Sequence, residues 1–176
     1  MSTYKDAVEY FKSLAIANVD IAHTEAEGNK KFFRLDMAEF YSGTVAQLPS
    51  AEAGPFMVLF NYITDFSRID CVNQKKQFMF MILQAYSKDD WNAEEDALDL
   101  CENVIKEVVN KINFDSKTYS ENEFLYGGFE YENVRLIPSD KIRNSTGLYI
   151  GWQCSFFLNE RISVAIDPTK WITPEP

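Results

Sequence analysis

Histidine is nearly missing from this sequence: among 176 residues only His23 is found. Acid–base and nucleophile–base constellations most often lean on an imidazole. His23 falls at the end of a predicted helix beside Thr24 and Glu25, where a lone polar group reads as a surface residue. Cysteine is scarce as well. Cys71, Cys101 and Cys154 are odd in number and widely spaced, which fits neither a zinc site nor a disulfide framework and points to reduced thiols. Phosphate-cradling glycine loops are also absent, since Gly127-Gly128 lacks both a third glycine and a following Lys-Ser/Thr and reads as a bulge or turn. With no such constellation, the expectation is a protein that is not an enzyme and needs neither metal nor cofactor.

No apolar run approaches the roughly 20 residues that span a bilayer. The opening Met1-Ser2-Thr3-Tyr4-Lys5-Asp6 has no signal-peptide pattern, so neither secretion nor membrane insertion is expected. Asn144-Ser145-Thr146 accordingly reads as turn chemistry before Gly147 and not as a glycosylation acceptor. Positive charge is short too: Lys plus Arg total 17 against 27 Asp plus Glu, a formal charge of −10 that disfavours nucleic-acid binding through a basic face.

What the chain does have is apolar material, 46% hydrophobic and 15% aromatic, too much for a disordered polymer. A chain of this length buries roughly 70% of its unfolded surface in one core. The reading is a single α+β domain over residues 1–158 and an extended tail over 159–176, which holds Pro168, Trp171, Pro174 and Pro176. Thr3 with Asp6 resembles a capping box, and Tyr4, Val8, Phe11, Leu14 and Ala15 recur at helical spacing to about Ile21. Phe33, Leu35 and Met37 alternate as in a strand, and residues 38–55 look like a long connection with a short helix over 37–47. Residues 56–66 and 75–87 predict two long strands in a hairpin, the second apolar on both faces in its middle, so both faces need cover. Phe129, Tyr131, Val134 and Leu136 predict a strand with an irregular start, and Leu148, Ile150, Trp152, Cys154, Phe156 and Leu158 a long, central one. The sheet is expected to be mainly antiparallel, with about five strands, an N-terminal helix and a long amphipathic helix packed on it.

That long helix is the clearest element. Asp90 can cap it near Trp91, and Leu98, Cys101, Ile105, Val108 and Ile112 make its apolar stripe. Residues 89–107 hold eight carboxylates (Asp89, Asp90, Glu94, Glu95, Asp96, Asp99, Glu102 and Glu107) against Lys106 alone, so this stretch carries −7 of the net −10. Such a run reads either as a solvated, dipole-stabilising helix face or as a surface for a partner. Trp171 in its proline-bearing tail is open in the same way, packing on the chain's own sheet or clasping a neighbouring subunit. The stretches 67–74 and 115–128 are exposed connections of a length that often carries binding.

The order helix, strand, long hairpin, helix, two strands resembles the tail terminator, or tail-completion, proteins of long-tailed bacteriophages and prophages. So do Val104-Ile105-Lys106-Glu107-Val108-Val109 at the close of the acidic helix and Leu148-Tyr149-Ile150-Gly151-Trp152-Gln153-Cys154-Ser155-Phe156-Phe157 in the last strand. The resemblance covers residues 3–158. It implies a structural virion protein of the tail or neck, assembled in the host bacterial cytoplasm, whose copies form a homohexameric ring. That ring would cap the tail tube protein and join it to the head-tail connector proteins. DNA would meet it only as passing cargo, with Glu95, Asp99 and Glu102 facing the lumen or a partner and Trp171 in a subunit-contact tail. The connection 38–55 and the proline-bearing end look like additions to the family pattern. A small acidic cytosolic inhibitor or immunity-type protein, covering a basic partner, is the alternative that the charge fits equally.

Overall fold

The computed structural model describes residues 3–26, 28–42, 48, 54–65, 73–88, 90–118, 125, 128–143 and 147–161. Thr3 opens the first helix, α1 (Tyr4–Ala17), with a reciprocal capping box: its hydroxyl accepts from the Asp6 N–H and the Asp6 carboxylate from the Thr3 N–H. The helix stops at Ala17 rather than near Ile21. Asn18 turns its side chain back on the chain, Oδ1 accepting from the Asp20 and Ile21 N–H groups at 3.1 Å, which competes with helical bonding. There follow β1 (Phe32–Leu35), a short α2 (Met37–Tyr41) capped by Asp36, β2 (Phe56–Phe60), β3 (Ile63–Asp65) and β4 (Asn73–Tyr86). Then come α3 (Trp91–Asp115), a 3-10 turn at Tyr131–Asn133, β5 (Arg135–Pro138), β6 (Ile142–Arg143) and β7 (Leu148–Arg161).

The architecture is α+β. The seven strands form one sheet in the order β1-β2-β4-β7-β5, with β3 also on β4 and β6 also on β7. Every pairing is antiparallel except the parallel β1–β2 edge. β4 and β7 pair along their whole length, Asn73 with Arg161 to Tyr86 with Leu148, so the domain runs past residue 158 to Arg161.

The first arm of the predicted hairpin is broken in two. Leu59 lies opposite Phe80 but Ile63 opposite Gln77, so β2 and β3 hold one more residue than β4 over this stretch: a bulge at Asn61–Tyr62. The Tyr4 hydroxyl bonds to Asn61 Oδ1, and the Tyr62 ring lies 4.9 Å from that of Phe78. The bulge reverses the alternation. Met57 and Leu59 face the helices, yet Ile63 turns to the opposite face and is 66% exposed.

Each face of the sheet carries a buried cluster, as the two apolar parities of β4 require. On one face α1 and α3 pack over Phe78, Phe80, Ile82, Cys154, Phe156 and Leu158. On the other, Phe33, Phe56, Val58, Phe60, Met81, Leu83 and Tyr149 form a second cluster with Phe40 of α2 and with Leu48, both buried. The connection 38–55 is therefore no excursion from the core in its described part: Phe40 sets its ring against Phe60 at 5.3 Å and covers the second face. β2, with all five residues buried, lies between the two clusters.

Ion pairing locks the far end of the β4–β7 ladder. Lys76 is 3% exposed, and its Nζ lies 2.5 Å from Glu160 Oε2, which also accepts from Gln74 Nε2 at 2.7 Å. A buried pair of this kind adds little net stability, but breaking one partner leaves a charge without compensation. Lys76→Met alone is expected to cost about 3 kcal/mol in urea unfolding, and Lys76→Met/Glu160→Leu to recover most of that loss. Equal stability of the single variant and the wild type would overturn this account.

Candidate functional site: the acidic helix and the open sheet face

α3 buries Ala97, Cys101, Val104, Ile105, Val108, Val109 and Ile112 against the sheet. Leu98, placed in the stripe by spacing, is only half-buried, and its carbonyl accepts from Trp152 Nε1 at 3.1 Å, tying the helix to β7. At about 100° per residue, Glu95, Asp96 and Asp99 all point within about 60° of the direction away from the buried stripe, and all three are exposed.

The other described acids of the run have local partners. The Asp90 carboxylate caps the helix, accepting from the Ala93 N–H at 3.1 Å. Glu94 pairs with Lys141 at 2.6 Å, and that ammonium also sits over the 75%-exposed ring of Trp91. Glu102 pairs with Lys106 one turn on at 2.5 Å, and Glu107 accepts from Asn18 Nδ2 of α1 at 3.3 Å. Of the three lumen-facing acids named from the sequence, Glu95 and Asp99 thus stand on one crest, while Glu102 is half-buried beside it and balanced by Lys106. Asp96, which the sequence reading did not single out, completes a crest of carboxylates unpaired among the described residues. Asp89 and Trp171 lie outside the described residues, as do Cys71, Gly127 and most of 67–74 and 119–127.

A second surface lies on the sheet face for which the two apolar parities of β4 already asked cover. Beyond the cover of Phe40 and Leu48, the second sheet face carries Ile63, Met79, Phe157 and Ile137 on β3, β4, β7 and β5, set among Gln77, Ser155 and Gln153 of the same face. Ile63 and Ile137 are 66% and 51% exposed, and Met79 and Phe157 half-buried. Lys75, over the Phe157 ring at 4.3 Å and paired with Glu130, and exposed Arg135 give it a polar margin. Phe157 and Met79 were legible as the minor parity of their strands; Ile63 was not, because the bulge sets its face.

No catalytic cluster emerges among the described residues. A groove of about 380 Å³ between α3 and β5 is lined by Lys106, Val109, Asn110, Tyr131, Val134 and Leu136, without a convergent set of acids and bases. No group of three His, Cys, Asp or Glu side chains among the described residues could hold a metal ion. No described helix is long and apolar enough to cross a membrane. His23, expected on the surface, is 2% exposed. The chain folds back after α1 so that the His23 N–H reaches the Ala15 carbonyl at 3.0 Å, which turns the ring inward toward Phe32.

No protein family model matches the chain, and no curated protein matches it.

Cys101 and Cys154 are fully buried as free thiols, and burial pushes both pKa values up to about 12. The thiolate is the reactive form. At pH 8 iodoacetamide is expected to leave both unmodified in the folded protein and to alkylate both after unfolding, as read by peptide mass spectrometry. Modification of either in the native state would contradict the packing of α3 on β7.

Proposed function

We propose that this protein is a structural component of the phage tail-terminator kind, not an enzyme. In this reading its copies form a ring, of about six subunits, that caps a tail tube, meets the head connector and lets DNA pass. It is assembled in the host bacterial cytoplasm and ends in the tail or neck of the virion. What supports this reading is the run of helix, strand, hairpin, long helix and closing strands, to which α2 and a third closing strand are added, and the observation that carries it is the open half of the second sheet face. Apolar side chains on four neighbouring strands, set among Gln77, Ser155 and Gln153, ask for a mixed apolar and polar cover, and a second copy supplies it. Four side chains fall short of the roughly 800 Å² per partner of a standard interface. Each contact is therefore weak alone and gains from ring closure or from a tube that holds the copies together.

Light scattering across a concentration series, with and without tube protein, tests this. The expected result is growth from the 20.3 kDa chain to a closed oligomer. Ile137→Asp should abolish it while leaving the circular dichroism unchanged, because Ile137 is 51% exposed at the sheet edge. A monomer under every condition would overturn the ring.

The three carboxylates of α3 that have no partner among the described residues favour the second reading, an acidic inhibitor or immunity-type protein, over which a monomer that captures a basic partner would decide. Within a ring the same crest faces the lumen and repels passing DNA. Replacing Glu95, Asp96 and Asp99 with amides, leaving Glu102 with Lys106, is expected to preserve oligomer mass and to raise DNA retention at low salt several-fold. Unchanged retention would remove the lumen role.

A further inference from the structure

The only histidine of the chain sits at a joint. Between α1 and β1 the backbone passes through Ala22 at φ 48°, a left-handed conformation that a residue with a Cβ adopts under strain. His23 follows, 2% exposed, and its Nδ1 accepts from the Lys31 N–H at 3.0 Å. That bond assigns the tautomer: the neutral ring carries its proton on Nε2, directed toward Glu25 Oε1 at 3.6 Å. Lys31 in turn holds the edge of the sheet, its carbonyl accepting from the Met57 N–H at 2.8 Å just before Phe32 pairs with Met57.

We propose that His23 is an acid-operated latch: a proton on Nδ1 turns the acceptor of the Lys31 N–H into a donor, and the connection from α1 to β1 opens. The two N–H groups then face each other across a space that admits no water without widening, and the strain at Ala22 is relieved by the same movement. Opening loosens Phe32 and Phe33, the two β1 side chains that enter the cores on opposite faces of the sheet. The fourteen-residue β4 and β7, paired along their length, are untouched.

The charged groups facing the ring are Glu25 on its own loop, Lys12 of α1 and Lys30 at the entry to β1. Glu25 is held in turn by an ion pair with Lys12. Burial lowers the His23 pKa below its ordinary 6.5 and Glu25 opposes that shift. Because the folded pKa lies below the unfolded one, the stability contributed by the neutral ring is fully present above pH 6.5 and is lost as pH falls through the folded pKa.

Amide exchange at Lys31, corrected for the intrinsic pH dependence and referred to the Phe80 amide in β4, reads the latch directly. Lowering the pH from about 7.5 to about 5 is expected to cut Lys31 protection with Phe80 unchanged, by up to about tenfold for each unit that the pH falls between the ordinary 6.5 and the lower folded pKa. His23→Asn places a non-titrating acceptor on the same branch and is expected to keep Lys31 protected at both values. Glu25→Gln should move the transition to lower pH. Wild-type protection that does not change, or a His23→Asn variant that loses it as the wild type does, would overturn the latch. Should that variant fail to fold, the NMR titration of the His23 ring must share its midpoint with the Lys31 exchange, and a mismatch would overturn it equally.

Discussion

Phe78 and Phe156 stack across β4 and β7 with ring centres 5.4 Å apart and planes 13° from parallel, and Phe11 of α1 closes on both at 6.1 and 6.2 Å. This triple contact joins three segments far apart in sequence. It fixes which face of the hairpin receives the helices, and from that the rest follows: Cys101, Ile105, Val108 and Ile112 of α3 have one side of the sheet to cover, and the alternate residues of β4 must be covered by something else. A register slip of a single residue would exchange the two sets, and the Lys76–Glu160 pair at the ladder's end opposes such a slip by leaving a charge buried alone.

The elements whose pattern is local were legible in the sequence. The capping box of Thr3 and Asp6, the Asp90 cap, the stripe of α3 and the alternation of β7 depend on residues within a few positions of one another, and each forms as its spacing predicts, save that Leu98 of the stripe is only half-buried. Features set by distant partners were not. The parallel pairing of β1 with β2 needs the intervening segment to cross the second face, and Phe40 meeting Phe60, with Leu48 in the same cluster, reveals that it does. The bulge at Asn61–Tyr62 is likewise a matter of what lies opposite, since Phe78 faces the extra residue and the strand itself carries no glycine to mark it.

The candidate site divides along the same line. The concentration of acids on α3 was plain, and the helix dipole accounts for its place in the first turns. Which acids are spent on structure could not be read, because Lys141 and Asn18 reach Glu94 and Glu107 from elements 47 and 89 residues away. Only Lys106, one turn from Glu102, was a partner that spacing could supply. His23 shows the limit most clearly: its polarity and its place at a helix end favoured solvent, but a backbone that doubles back to Ala15 carried it inside.

The outer boundary of the sheet at β5 has a particular character. The Ser139 N–H donates to the Gly151 carbonyl at 2.8 Å, which makes Ile137 the next residue to turn its amide toward β7 and leaves the nitrogen of Pro138 facing outward. There it has no hydrogen to give. At this edge a neighbour that adds backbone to backbone, the generic route to fibrils, meets one missing donor in a strand of four residues. A contact made on this flank would therefore lean on side chains such as Ile137 more than on a backbone ladder.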